Sequence, residues 1–218
     1  DVSTGHHPPF LVTARGRLRA VPILHGRYEF AVEVRRAFAE HRPTDVVVEL
    51  PTSLTAAMRR AVRRLPRLSV LRSVSPGTDR PAYLLVEPTD GLSEAVRLAV
   101  EHQVPLHCAD RDEAQVPTVR TTLPDPHAME TIGLAAWAAP CMAAHLQSDV
   151  AGVRPLAHRL TTLLADPVRR VLFVGTLPRM AAIQGKNCAP VVESFDAGLT
   201  EVRPVESKGT IADGLDVP

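Results

Sequence analysis

The sequence predicts an α/β fold: a single domain in which a central, largely parallel or mixed sheet is flanked by helices. Two observations carry this. Short apolar runs recur at 20–24, 45–50, 104–108 and 171–174. Too short for helices and most of them apolar on both faces, they match strands covered by a layer on each side. Between them lie stretches with apolar residues at helical spacing, and strands alternating with helices imply crossover connections and a parallel sheet.

Residues 1–18 contain His6, His7, Pro8 and Pro9 and then Arg15, Gly16 and Arg17, which suits an N-terminal arm or an edge hairpin. The first strand covers 20–24 and ends at His25 and Gly26. A helix follows over 28–41, with Phe30, Ala31, Val34, Ala37 and Phe38 on one face, and Pro43 stops it. The run 45–50, Asp-Val-Val-Val-Glu-Leu, is the clearest buried strand. Pro51 ends it, and Thr52 or Ser53 can cap a helix over 54–65. Extended pieces at 68–74 and 82–86 come next. Asp90 or Ser93 then caps a helix reaching His102, with Ala95, Leu98 and Ala99 on a shared face.

The strand at 104–108 runs into Ala109 and the cluster Asp110-Arg111-Asp112. Helices are expected over 128–150, with Pro140 as a break or kink, and over 155–164. A strand at 171–174 precedes Gly175, a helix from about 178 and a last strand at 191–195. The sequence thus divides into an arm (1–18), an α/β domain (19–198) and a weakly patterned tail (199–218).

With 218 residues, 45% of them apolar, the chain has material for one full core. The formal net charge of +1 gives no electrostatic case for nucleic acid. No run approaches the about 18 uninterrupted apolar residues of a membrane span. Neither nucleic acid nor a membrane is therefore an expected partner. Cys108, Cys141 and Cys188 are odd in number and form no close pair, which predicts a reducing, cytoplasmic setting without a disulfide framework. The chain opens on Asp1 with no charged-then-apolar leader, fitting a trimmed chain or a fragment of a longer protein.

Parallel strands place their C-terminal ends on one rim, where ligands of open α/β sheets bind. That rim collects His25 and, one helical turn on, Glu29; Glu49; Asp110, Arg111 and Asp112; and, after the strand ending at Val174, Gly175 and Thr176. An imidazole beside carboxylates can activate water directly or through a bound metal, and Arg111 can orient a carboxylate or stabilise an anion. Structural roles compete for the same residues. His25 before Gly26 also suits a turn whose imidazole caps the next helix. Glu49 suits a buried ion pair with an arginine. The Asp110–Asp112 cluster also suits a solvated loop. His107 and Cys108 lie inside a strand and are not taken as ligands. There is no phosphate loop and no Gly-x-Ser-x-Gly elbow, which disfavours nucleotide hydrolysis and serine hydrolase chemistry.

The pieces Ile23-Leu24-His25-Gly26-Arg27-Tyr28-Glu29 and Asp45-Val46-Val47-Val48-Glu49-Leu50, in this order, resemble the opening of the erythromycin esterase, ChaN, TraB and Tiki group of proteins. Asp110-Arg111-Asp112 followed by Thr118-Val119-Arg120 is similar to the TraB branch, and Met142-Ala143 and the strand at 171–174 fall in the group's order. The resemblance spans roughly 19–185. It implies an α/β fold with its active rim at the strand ends, with His25, Glu29 and Glu49 in the first motif and Asp110, Arg111 and Asp112 in the middle one. Members include esterases, metal-dependent peptidases and haem-binding proteins. The chain departs from the hydrolytic branches at Gly175-Thr176-Leu177-Pro178, where Pro178 stands in place of a second histidine. His145 or His158 is a candidate substitute.

The resulting expectation is a diverged hydrolase, esterase- or peptidase-like, acting on a small organic or peptide-like substrate with His25, Glu29, Glu49, Asp110 and Arg111. No cofactor is evident, though a divalent metal is compatible with the residues. The alternative is a non-catalytic domain of the same fold, binding a ligand, a protein partner or a second copy, within a larger protein or assembly. A haem or other small-ligand binder is a third reading.

Overall fold

Val46, Val47 and Val48 are wholly inaccessible to solvent, and a run with no polar face is stable only between two layers. In the computed structural model, which describes residues 12–13, 16–74, 81–110, 123–145 and 154–176, that run lies at the heart of a five-stranded sheet. The strands in chain order are β1 (Val12–Thr13), β2 (Leu18–Ile23), β3 (Asp45–Pro51), β4 (Ser69–Val74), β5 (Pro81–Val86), β6 (Leu106–Asp110) and β7 (Val171–Thr176). The sheet runs β1-β2-β7-β3-β6. All neighbours are parallel except β1, which lies antiparallel along the edge of β2. The sheet is therefore mixed, with a parallel centre.

The last strand in sequence is inserted between the first two parallel ones. Ile23 stands opposite Thr176, Val48 opposite Val174, and Pro51 opposite Asp110. The C-terminal ends of β2, β7, β3 and β6 thus line up along one rim.

Helices α1 (Tyr28–His41) and α3 (Gly91–Glu101) pack side by side over the sheet. The first buries Phe30, Ala31, Val34, Ala37 and Phe38, and ends where Arg42 turns left-handed (φ 47°) and its N–H donates to the Phe38 carbonyl at 3.0 Å. Glu94 of α3 is 2% exposed yet charged, because Arg35 of α1 donates to it at 2.8 Å and Arg97 from its own helix at 2.6 and 2.7 Å. Removing either partner would leave a buried charge poorly compensated, so this ion pair fixes the pairing of α1 with α3.

Helices α4 (Met129–His145) and α5 (Arg154–Leu164) precede β7 in the chain. Trp137 of α4 is fully buried and meets Phe30 edge-on, with ring centroids 5.2 Å apart. Its indole N–H donates to the Asp125 carbonyl at 3.0 Å. The expected break at Pro140 falls instead at Gly133, the residue of α4 with non-helical dihedrals (φ 79°, ψ 156°). A positive φ of this size is open to glycine, whereas Pro140 is held near the helical φ by its ring.

The extended pieces at 68–74 and 82–86 do not join the sheet. As β4 and β5 they pair only with each other, antiparallel, after the short helix α2 (Thr55–Val62). At the N-terminal ends of the strands, Asp45 is 1% exposed and is held by His107 at 2.9 Å, Arg169 at 2.7 Å and the Thr44 hydroxyl at 2.9 Å. This cluster ties β3, β6 and the approach to β7 together. His107 accordingly has a structural partner, while Cys108 faces the core. No helix among the described residues is long and apolar enough to cross a membrane. The expected helix from 178, the strand at 191–195, the tail, and the segment carrying Arg111, Asp112 and Thr118 lie outside the described residues.

Because Trp137 is the chain's one tryptophan, its fluorescence reports the docking of α4 on α1. Phe30→Ala should remove about 3–5 kcal/mol of unfolding free energy in urea and shift native emission to the red. A loss below about 1 kcal/mol would show that this contact does not hold α4 in place.

Candidate functional site

Asp90 organises the rim. It ends the connection from β5 and stands at the N-cap of α3, where four backbone N–H groups lack helical partners. One carboxylate oxygen, Oδ1, accepts from the N–H groups of Leu92 and Ser93 at 3.0 and 2.9 Å. The other, Oδ2, accepts from His25 Nδ1 at 2.8 Å and from the Gly26 N–H at 3.1 Å. The carboxylate is 3% exposed and the imidazole beyond it 43% exposed. A buried anion thus carries a solvent-facing base.

The hydrogen bond to Asp90 assigns the imidazole its tautomer: Nδ1 bears the proton, leaving Nε2 as an acceptor with no partner among the described residues. That bond raises the His25 pKa above its ordinary 6.5 against the opposing effect of burial, and the charges of Asp90 and Glu49 add to the rise. For Asp90, burial pushes upward, but the hydrogen bond and charge of His25, with the N–H groups of Ser93 and Gly26, outweigh it. Its carboxyl lies below the ordinary 3.8.

Glu49 approaches from β3. It is 9% exposed, and its carboxylate leans over β7 to accept from the Thr176 N–H and from the Thr176 hydroxyl at 2.8 and 3.0 Å. Thr176 lies directly across from Ile23, two residues before His25. Adjacent strands are about 4.8 Å apart, so a side chain of β3 seated over β7 closes about half the distance to β2. Gly175 makes this possible: a Cβ there would lie 2.7 Å from the Phe173 ring and 3.1 Å from Glu49 Oε2. Gly26 is equally constrained, with φ at +67° and Glu87 Oε1 only 3.2 Å from where a Cβ would stand. Glu87 therefore belongs to the rim as well.

The residues expected from sequence fall as follows. His25 and Glu49 occupy the ends of strands separated only by β7. Asp110 closes β6 on the same rim, beyond β3, and Glu29 sits partly buried in the first turn of α1 with no hydrogen bond among the described residues. Arg111 lies outside the described residues. The proposed capping role of His25 is not seen: α1 has no side-chain cap, and the ring turns to Asp90. Among the described residues, Glu49 accepts hydrogen bonds from the N–H and hydroxyl of Thr176. The sequence places Thr176 on the rim without assigning it a role, marks Asp90 only as a helix cap, and gives no signal for Glu87. Among the described residues no group of three or more His, Cys, Asp and Glu side chains is placed to hold a metal ion.

Comparison of the chain with protein-family models, with curated proteins and with solved structures gives no match.

The two shifts set a pH window. His25, raised, stabilises the fold fully below pH 6.5 and loses that contribution as pH climbs through its folded value. Asp90, lowered, contributes above pH 3.8 and loses it as pH falls through its folded value. The stability difference between the parent chain and His25→Ala, read by urea unfolding, should be largest between these limits and shrink above pH 6.5. A difference independent of pH from 4 to about 9 would contradict the ionised pair.

Proposed function

We propose that this domain is a diverged hydrolase that activates water with His25 and acts on a small organic or peptide-like acyl compound. The observation carrying this reading is the His25–Asp90 hydrogen bond, which leaves Nε2 unprotonated at the mouth of the strand-end rim. As the water oxygen attacks the acyl carbon, Nε2 takes its proton. The imidazolium so formed is matched by the Asp90 carboxylate it already touches and by the negative field of Glu49. The same proton, returned from Nε2, leaves with the alcohol or amine. Asp90 acts through the imidazole and is a positioning residue; the Thr176 groups and the absent Cβ of Gly175 position Glu49 in the same way.

The order of the His-Gly-x-x-Glu piece, the strand ending in Glu49 and the Asp110-Arg111-Asp112 run supports a place near the erythromycin esterase, ChaN, TraB and Tiki group. One observation favours the alternative, a non-catalytic domain that binds a ligand or protein partner at the same rim. Pro178 stands where the hydrolytic branches carry their second histidine.

A panel of carboxylic esters and amides, assayed against pH, decides between them. Hydrolysis should rise with pH to a plateau, with a midpoint above 6.5. His25→Ala should lower kcat/KM by about 10²–10⁴-fold while costing less than about 2 kcal/mol of stability. Glu49→Gln should lower kcat more than it changes KM. Asp90→Asn, which keeps a capping oxygen, should move the midpoint downward. A parent chain inert toward the whole panel, or unchanged turnover in His25→Ala, would overturn the catalytic reading and leave the binding domain.

A further inference from the structure

The whole-chain charge of +1 hides a strongly uneven distribution. Between residues 51 and 74 stand six arginines, Arg59, Arg60, Arg63, Arg64, Arg67 and Arg72, and no acidic residue at all. All six are exposed, and none of their guanidinium groups makes an ion pair or hydrogen bond among the described residues. Arg35 and Arg36, also exposed, instead reach Glu94 and Glu33. Four of the six line α2 and the turn that follows it, whose buried residues Met58, Ala61 and Val62 fix which side faces solvent.

That turn leads straight into the β4–β5 ribbon, which alternates cleanly. Ser69, Leu71 and Ser73 face inward, as do Ala82, Leu84 and Val86; the opposite face carries Leu68, Val70, Arg72 and Val74 beside Tyr83 and Leu85. The five apolar members of that outer face are 61%, 62%, 47%, 65% and 44% exposed in that order. They are five of the nine large apolar side chains exposed among the described residues. Together they present on the order of 500 Å² of apolar surface, comparable to the largest patch on a typical monomer, which is often functional.

We propose that the β4–β5 ribbon and its flanking arginines form a docking site for an anionic phospholipid surface. Charge complementarity selects an anionic occupant: six guanidinium groups without an ion pair among the described residues meet phosphate and carboxylate headgroups. The same charges repel a second copy of the chain, which would bring like clusters together. Nucleic acid would satisfy the arginines but would leave four exposed aliphatic side chains without a use, and the ribbon offers one aromatic ring, Tyr83, for stacking. A lipid interface uses both. Aliphatic side chains and Tyr83 enter the headgroup–acyl boundary, and the arginines stay at phosphate depth. The ribbon is only two strands wide, and a face of that shape suits a flat, fluid surface that needs no matching contour.

Sedimentation with vesicles of phosphatidylcholine, and of phosphatidylcholine mixed with phosphatidylserine, tests this on the full chain. The expected result is binding to the mixed vesicles alone, weakening as salt rises. Arg60→Gln/Arg63→Gln/Arg64→Gln should weaken it by about tenfold or more, since each charge contributes separately at an anionic surface. Val70→Thr/Leu85→Thr, which keeps strand-forming residues at exposed sites, should weaken it independently while circular dichroism stays unchanged. No binding to the mixed vesicles, equal binding to both kinds, or loss in the arginine variant alone would overturn the site as described. Tighter binding to a single-stranded RNA than to the mixed vesicles would also overturn it and assign the arginines to nucleic acid.

Discussion

The Asp90 carboxylate is the constraint on which the rim depends. Its two oxygens do different work at one point: one completes the first turn of α3, and the other holds the ring of His25 and the backbone of Gly26. A single side chain thereby joins the start of a helix to the end of β2, 65 residues earlier in sequence. The helix N-terminus also favours negative charge there, so the carboxylate stays ionised although only 3% of it meets solvent. A fixed anion in a dry position is a better support for a protonating imidazole than a solvated one, because water screens it less.

The sheet order supplies the second half of the geometry. With β7 inserted between β2 and β3, the central strand of the rim ends in Gly175-Thr176, which presents a bare backbone and a hydroxyl rather than a bulky side chain. Glu49 fills the space so left and is gripped there. The two ends of the strands have contrasting characters. At the N-terminal end, Asp45 is saturated by His107, Arg169 and Thr44 and serves cohesion. At the C-terminal end, the imidazole keeps one nitrogen without a partner among the described residues. A fold that satisfies one buried carboxylate completely while leaving a base open beside another concentrates its reactive capacity at a single rim.

Much of this architecture was legible in the residues. The helix bounded by Tyr28 and His41 and the strand from Asp45 were readable because period and punctuation agree: apolar spacing of one kind, then Pro43, then three valines. The rim position of His25, Glu49 and Asp110 follows from parallel strands alone. What the sequence concealed has a common cause, contacts between residues far apart in the chain. Asp90 was readable as a cap, but its second oxygen acts on a residue no local pattern connects to it. Thr176 reads as a polar group at the rim, but its hold on Glu49 emerges only once β7 lies between β2 and β3. The arginine-rich face was hidden by arithmetic of another kind: summing charge over the chain erases a cluster that the fold gathers on one helix, one turn and one ribbon. The shift of the α4 break from Pro140 to Gly133 shows a local rule losing to a local freedom, since only glycine adopts that backbone without cost.

Nitrogen-detected NMR of the histidine ring, in the parent chain and in Asp90→Asn, reaches the central claim most directly. The His25 resonances should show the proton on Nδ1 in the neutral form and a titration midpoint above 6.5, and both should change when the carboxylate is removed. A neutral ring protonated on Nε2, or a midpoint identical in the two proteins, would contradict the role assigned to Asp90 and with it the base at the rim.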